Sequence, residues 1–124
     1  MREPSTDNTL IIEGAGGLHV PLNSRTTIID LLQDWDIPVI LVSRNYLGSI
    51  NHTLLSAEVL QQRGVQVAGI VFNGPQNASG EDLIATYTGI PVLGNIPQLN
   101  EDSIDDFRAF ARKWRPILLE GLNI

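Results

Sequence analysis

Short apolar runs separated by stretches of helical length are the feature that most restricts the fold of this chain. The apolar runs cover residues 10–12, 39–42, 67–72 and 91–93, the last continued by Ile96. The stretches between and after them predict helices over residues 27–35, 50–63 and 81–88, and from residue 104 to about 114. Strands that are apolar on both faces and alternate with helices are typical of a parallel sheet covered on two sides. We therefore predict an α/β fold, a parallel sheet with helices on both faces.

The expected ends of these helices carry suitable residues. Gly64 and Gly89 follow two of the helical stretches, where a C-terminal glycine is favoured, and Ser103 with Asp106 resembles a capping box. The last helix has apolar residues at intervals of three and four, which predicts a core-facing stripe: Ile104, Phe107, Ala111, Trp114 and Leu118.

Composition limits the classes of function. With 124 residues the chain is of one-domain size, so residues 1–124 are expected to form a single α/β unit. The formal net charge of −6 and the absence of a basic stripe argue against a nucleic-acid partner. No apolar run approaches the ~20 residues of a membrane span, and no signal peptide is visible, so we expect no membrane association and a cytoplasmic protein.

In open parallel sheets, ligands bind outside the carboxyl ends of the strands, so the residues after each apolar run are the candidates. Glu13 follows the first run and precedes Gly14, Ala15 and Gly16. A carboxylate there suits Mg²⁺, and the glycines let backbone N–H groups approach an anion. A solvated carboxylate on an ordinary turn is the alternative, whereas a dinucleotide fingerprint fits poorly because His19 stands where its third glycine belongs.

The segment NYLGSINH follows the second run and leads into a helix. Ser49 and Asn51 are good N-cap residue types, and a helix N-terminus favours a carboxylate or phosphate, so capping and ligand binding both remain open. His52 and His19 are expected to be structural or surface histidines. Asn73, and the backbone after Pro97, end later strands where they could meet a purine edge or form turns.

Together, EGAGGLHVPLN, PVILVSRNYLGSINHTLLSAEVLQQRGVQVAGIVFNG and GIPVLGNIP resemble the carboxyl-terminal half of dethiobiotin synthetase, over about residues 10–99. The resemblance implies a partial P-loop NTPase-like fold and an enzyme of biotin biosynthesis. That enzyme uses ATP and Mg²⁺ to join CO₂ to 7,8-diaminopelargonic acid and close the ring of dethiobiotin.

The resemblance also implies roles for individual residues. Glu13 would be a Mg²⁺ ligand and would lie at the nucleotide with Gly14, Ala15 and Gly16. The adenine would be contacted by Asn73, Gly74, Pro97, Gln98 and Leu99. The substrate carboxylate would be held by Leu47, Gly48, Ser49, Ile50 and Asn51, a segment that in the family reaches the other subunit of a homodimer.

The sequence departs from the family in one respect. It contains no G-x-x-x-x-G-K-[ST] phosphate loop, and its single lysine is Lys113. Phosphoryl transfer depends on such groups, so the chain alone is expected to be inactive. We expect a fragment of a longer enzyme, one half of a split enzyme whose partner chain carries the phosphate loop, or a degenerate binding or assembly module. The start at Met1 favours an independently started polypeptide, and an uncovered sheet edge would favour a homodimer or a partner chain. A receiver-type signalling domain fits poorly, because Lys113 does not follow a strand.

Overall fold

The computed structural model describes residues 4–100 and 102–122. Three parallel strands form one sheet in the order β1-β2-β3: β1 Val39–Arg44, β2 Val67–Asn73 and β3 Val92–Ile96. The helices are α1 Ile28–Trp35, α2 Ser49–Gln62, α3 Ala78–Thr88 and α4 Ile104–Leu122. The predicted α/β class and three of the four predicted strands are confirmed.

Helices pack on both faces of the sheet at β2, whose successive residues point to opposite sides. Ile70 and Phe72 of β2 pack in one cluster with Ala57 of α2 and Ile84 of α3. Val71 lies between them in sequence and packs on the other side, with Leu93 of β3 and Trp114 of α4. The apolar run from Val67 to Phe72 in β2 is thus explained by burial on both faces.

The prediction of a strand at residues 10–12 was wrong. No strand is assigned there within the described part of the chain, and Ile11 is 89% exposed. A strand exists only where a neighbouring strand pairs with its backbone, and among the described residues β2 pairs with β1 on one side and with β3 on the other. Glu13 therefore does not close a strand, although an apolar run precedes it.

The helix α1 begins with a capping box in which Thr27 is the N-cap residue. Its backbone N–H and its hydroxyl each donate to Oδ2 of Asp30, both at 2.8 Å. The backbone hydrogen bond, followed by the hydroxyl, lowers the pKa of the Asp30 carboxyl below its ordinary value. The preceding segment is tied to this helix, since the Ile29 N–H donates to the Leu18 carbonyl at 2.9 Å.

The helix α4 is longer than predicted, and the residues that it packs against the sheet differ from those predicted. It runs to Leu122 despite Pro116, because Leu118 and Leu122 pack beside Trp114 over β3. Of the predicted stripe, Trp114 is buried and Leu118 is partly buried, but Ile104, Phe107 and Ala111 are exposed. Phe110 replaces them in the core, so the true stripe repeats every four residues: Phe110, Trp114, Leu118 and Leu122.

Other boundary predictions are mostly confirmed. Gly64 and Gly89 have left-handed φ angles of 69° and 66° just after α2 and at the end of α3. The Asp106 N–H donates to the Ser103 hydroxyl at 3.2 Å. Across residues 4–100 and 102–122, no helix combines the length and the apolar character that crossing a bilayer requires.

Candidate functional site

The carboxyl ends of the three strands lie level with one another. Arg44 pairs with Asn73 across β1 and β2, and Asn73 pairs with Ile96 across β2 and β3. The connections that follow the strands therefore meet at one edge of the sheet, where open α/β sheets bind ligands. Two cavities lie at this edge.

The first, the β2–β3 cavity, has a volume of about 280 Å³. Its lining contains all five residues for which the family resemblance implies adenine contacts, together with three others: Arg44, Asn73, Gly74, Ile96, Pro97, Gln98, Leu99 and Phe107. Gly74 has a φ of 96°, which favours glycine, and its N–H donates to the Ile96 carbonyl at 2.8 Å. This hydrogen bond holds the ends of β2 and β3 together beneath the cavity.

Sequence reasoning missed Arg44 and Phe107 as members of this cavity. Arg44 is the last residue of β1, and Phe107 lies in the first turn of α4 and is 45% exposed. Phe107 was assigned to the core because its spacing to Trp114 fits a helical stripe. Its position shortly after the β3 connection was the signal that could have indicated a ligand-facing aromatic ring.

The second, the β1–α2 cavity, has a volume of about 520 Å³. Its lining contains four of the five residues predicted to hold the substrate carboxylate and adds three: Asn45, Tyr46, Leu47, Gly48, Ser49, Ile50 and Asn77. Asn51, the fifth, is exposed on the first turn of α2 and does not line this cavity. Leu47 is fully exposed at the tip of the connection.

The start of α2 differs from the capping prediction. Gly48 is the N-cap residue, with a φ of 93° and no side-chain capping hydrogen bond, so neither Ser49 nor Asn51 caps the helix. Ser49 is instead buried, and its carbonyl accepts a hydrogen bond from the Thr53 hydroxyl at 2.8 Å. A glycine cap leaves the first backbone N–H groups without a side-chain acceptor, and the positive end of the helix dipole favours an anion at this point.

A tyrosine and a histidine stiffen the same connection. The Tyr46 hydroxyl lies 2.6 Å from Nδ1 of His52, and their ring centroids are 5.7 Å apart. His52 is exposed on α2, in keeping with the expected surface histidine. The pair links residues on either side of Gly48.

Hydrogen bonds to Glu81 connect the two cavities. One carboxylate oxygen of Glu81 accepts from Nδ2 of Asn45 at 2.8 Å, from the Asn77 backbone N–H at 2.9 Å and from Nδ2 of Asn95 at 3.3 Å. Asn45 Nδ2 also donates to the Pro75 carbonyl at 2.9 Å. None of these contacts was predicted; Asn45 and Asn95 are 36 and 14 positions from Glu81, so no local pattern indicates those two.

The segment that contains Glu13 is not brought into either cavity. Residues 10–17 are exposed, and the lining of the two cavities includes none of Glu13, Gly14, Ala15 or Gly16. Among the described residues no group of three or more His, Asp or Glu side chains could hold a metal. A lone carboxylate still fits Mg²⁺, which takes one or two carboxylates and fills its shell with water and phosphate oxygens. The roles of these four residues stay predictions.

Comparison with known proteins identifies relatives that match most of the chain. A family model described as "AAA domain" matches residues 1–103. The ATP-dependent dethiobiotin synthetase BioD of Brucella anthropi is 48% identical over 118 residues, which cover 95% of this chain and 56% of the relative. The enzyme of the same name from Cytophaga hutchinsonii is 49% identical over 111 residues, 89% of this chain and 54% of the relative.

A third relative is named as a bifunctional protein. The biotin biosynthesis bifunctional protein BioCD of Bordetella avium is 46% identical over 97 residues, 78% of this chain and 21% of the relative. The chain thus spans about half the length of the dethiobiotin synthetases that it matches. The resemblance to dethiobiotin synthetase, inferred above from the motifs, is confirmed.

Proposed function

Because this chain belongs to the family described as AAA domain, we propose that it forms the adenine- and substrate-binding half of an ATP-dependent dethiobiotin synthetase. One observation carries the proposal. The segments NYLGSI and NIPQL, which resemble dethiobiotin synthetase, both lie at the edge of the sheet formed by the carboxyl ends of the strands. Each contributes residues to the lining of a separate cavity.

The proposed reaction is a ring closure in three steps. One amine of 7,8-diaminopelargonic acid attacks CO₂ and loses a proton, which gives a carbamate. A carbamate oxygen attacks the γ-phosphorus of ATP and releases ADP. The second amine then attacks the carbamoyl carbon, loses a proton and expels phosphate, which gives the cyclic urea of dethiobiotin. The chain's own contribution is to hold both reactants at the sheet edge, since positioning supplies much of the rate in phosphoryl transfer.

The β2–β3 cavity is the proposed adenine site. Asn73 offers an amide that can both donate to and accept from a purine edge, and the backbone from Pro97 to Leu99 supplies further polar groups. Phe107 provides an aromatic face for the base, and Arg44 is the cation among the lining residues. The volume of about 280 Å³ suits a nucleobase rather than a whole nucleotide.

The β1–α2 cavity is the proposed site for the substrate carboxylate. The Ser49 N–H donates to the Tyr46 carbonyl at 3.0 Å, but the start of α2 has no side-chain cap, so its positive end still favours an anion. The Leu47 and Ile50 side chains suit the alkyl chain. Glu13 is the proposed Mg²⁺ ligand, where the ion would neutralise phosphate charge. Gly14, Ala15 and Gly16 would lie against the nucleotide.

The phosphate loop must come from another polypeptide segment, and we propose that it docks beside β1. The outer edge of β1 pairs with no described strand, and Ile40 and Val42 are 37% and 60% exposed on the face that α2 leaves open. Unpaired edges and apolar faces of this kind are normally covered. The fully exposed Leu47 is the proposed contact with a second subunit. A reaction that consumes ATP fits a cytoplasmic location.

The first test is calorimetric titration of the 124-residue chain with 7,8-diaminopelargonate. We expect saturable binding, and we expect the methyl ester of the same diamine to bind much more weakly because it lacks the carboxylate charge. Equal affinity for the acid and the ester would contradict the proposal of an anion site at Gly48. The absence of binding by the acid would contradict the assignment of the β1–α2 cavity.

The second test is reconstitution. The chain is mixed with a separately expressed phosphate-loop half, taken from the Brucella anthropi synthetase, and ATP-dependent dethiobiotin formation is measured. We expect activity in the mixture and none in either half. Val42→Glu should prevent reconstitution, and Leu83→Glu, at a residue of α3 that is 48% exposed, is the matched control. If both halves are folded and the mixture stays inactive, the split-enzyme proposal fails.

A binding or assembly module without catalysis is the second candidate. The observation that favours it is the lack of a phosphate loop in the sequence, in which Lys113 is the single lysine. Such a module would bind its partner with the same affinity with and without ATP, Mg²⁺ and diaminopelargonate. A synthetase half should bind the phosphate-loop half more tightly when these ligands are present.

A further inference from the structure

Glu81 makes more hydrogen bonds than the start of its helix requires. It lies in the first turn of α3, and its carboxylate accepts from the Asn77 backbone N–H at 2.9 Å, which is an ordinary contact at a helix N-terminus. The helix is already capped by Asn77, whose side chain accepts from the Gly80 N–H. Capping therefore accounts for one of the three hydrogen bonds to Oε1 of Glu81 and leaves two unexplained.

The two remaining donors belong to different connections. Asn45 is the first residue after β1 and lines the β1–α2 cavity, and its Nδ2 lies 2.8 Å from the carboxylate oxygen. Asn95 lies in β3, next to Ile96 and Pro97 of the β2–β3 cavity, and its Nδ2 lies 3.3 Å from the same oxygen. These residues are 36 and 14 positions from Glu81 in sequence. The carboxylate thus joins the ends of two strands that do not pair with each other.

We propose that Glu81 is a positioning residue that fixes the distance between the two cavities. This inference rests on the proposed function, in which one cavity holds the adenine and the other holds the diamine carboxylate. Hydrogen bonds to an ionised acceptor are stronger than neutral ones, and a partly buried carboxylate that accepts three of them is held in place. Movement of Asn45 relative to Asn95 would separate the two reactants, and an error of about 1 Å can cost 10²-fold in rate.

The test compares Glu81→Ala with two reference variants. Glu81→Gln keeps a carbonyl oxygen at the same reach, so it should retain most of the positioning. Asp82→Ala removes an equal charge from the next residue of α3, whose side chain is exposed. Adenosine and 7,8-diaminopelargonate are titrated into the 124-residue chain at a temperature at which every variant is folded.

We expect Glu81→Ala to weaken the binding of both ligands by about 10-fold, because Asn45 and Asn95 lose the charged acceptor that holds the two connections in place. Glu81→Gln should restore most of this affinity, and Asp82→Ala should bind both ligands like the unaltered chain. If the unaltered chain binds the ligands and Glu81→Ala binds them equally well, the inference is wrong while the proposed function stands.

A second measurement decides the inference if the unaltered chain binds neither ligand, a result that contradicts the proposed function. Backbone amide chemical shifts are recorded for residues 47–51 and 98–99 without any ligand. Glu81→Ala should shift or broaden the signals of both segments, and Asp82→Ala should change neither. Unchanged signals in both segments would show that Glu81 caps α3 and does nothing more.

Discussion

The two parts of this chain that most resemble dethiobiotin synthetase differ in how they are supported. Residues 39–100 contain the three described strands, the main core and, apart from Phe107, the lining of both cavities. Residues 10–17, with the EGAGG motif, are exposed and belong to no strand or helix. A motif can therefore be easy to recognise in the sequence without being packed against the rest of the fold. The first part is packed against α1 and α4, whereas residues 10–17 remain exposed among the described residues.

The largest expected difference between the two parts is in amide hydrogen exchange. The amides of Ile70, Val71 and Phe72 lie in the central strand and should exchange only by global unfolding, whereas those of residues 10–16 should exchange at nearly unprotected rates. For a stability of about 5 kcal/mol the ratio is on the order of 10³-fold or more. Mass spectrometry or NMR measures it directly.

Addition of the phosphate-loop half sharpens this comparison. If residues 10–16 complete a strand against that half, their exchange should slow in the mixture while that of β2 stays the same. Unchanged exchange at residues 10–16 in an active mixture would mean that the motif works without forming a strand.

Core truncation should separate the two parts next. Phe72 is 1% exposed at the centre of the sheet, so Phe72→Ala should lower the free energy of unfolding by about 3–5 kcal/mol. Ile11→Ala, at a residue 89% exposed, is the matched control and should change it by less than about 0.5 kcal/mol. Urea denaturation of both variants checks this. A large loss with Ile11→Ala would mean that the apolar run is packed.

Ligand binding should also divide between the two parts. Asn73→Ala removes a neutral amide from the β2–β3 cavity and should weaken adenosine binding by about 1 kcal/mol, or several-fold. Glu13→Gln should leave adenosine binding unchanged in this chain and should weaken the Mg²⁺ dependence of the reconstituted enzyme. Calorimetry tests the first statement, and a Mg²⁺ titration of activity tests the second. If Glu13→Gln loses affinity for adenosine, Glu13 lies at the adenosine site, and the two parts form one site.

The smallest expected effect lies at α1, which joins the two parts. The pKa of Asp30 is lowered in the folded chain, chiefly by the hydrogen bond from the Thr27 N–H. The stabilisation by its carboxylate is therefore fully present above the unfolded pKa of ~4 and is lost as the pH falls through the folded value. Asp30→Asn should reduce stability at pH 7 and flatten its decline below pH ~4. Thermal unfolding at pH 7 and below pH ~4 measures this, and Asp34→Asn, at an exposed residue of the same helix, is the control. An equal dependence of stability on pH in the two variants would contradict the role of the capping box.

The sequence by itself determined the class of fold and most of its elements. Apolar runs of strand length separated by helical stretches predicted β1, β2 and β3. Burial on both faces explains the run in β2, whereas in β1 Ile40 and Val42 are 37% and 60% exposed. Glycines after helices marked the ends of α2 and α3, since few other residues adopt a positive φ. The segments around Gly48 and Asn73 were identified as sites because they follow strands, and each lines a cavity.

Only the tertiary structure decided which of these patterns became structure and which residues meet. The run at residues 10–12 has the composition of a strand but no described partner, and pairing is not a property of the run itself. Phe107 and Phe110 fit a helical stripe almost equally well. Because α4 packs against β3, Phe110 lies in the core and Phe107 lines the β2–β3 cavity. The contacts of Glu81 with Asn45 and Asn95 join residues distant in sequence. Such contacts arise when strand ends converge, and no local pattern records them.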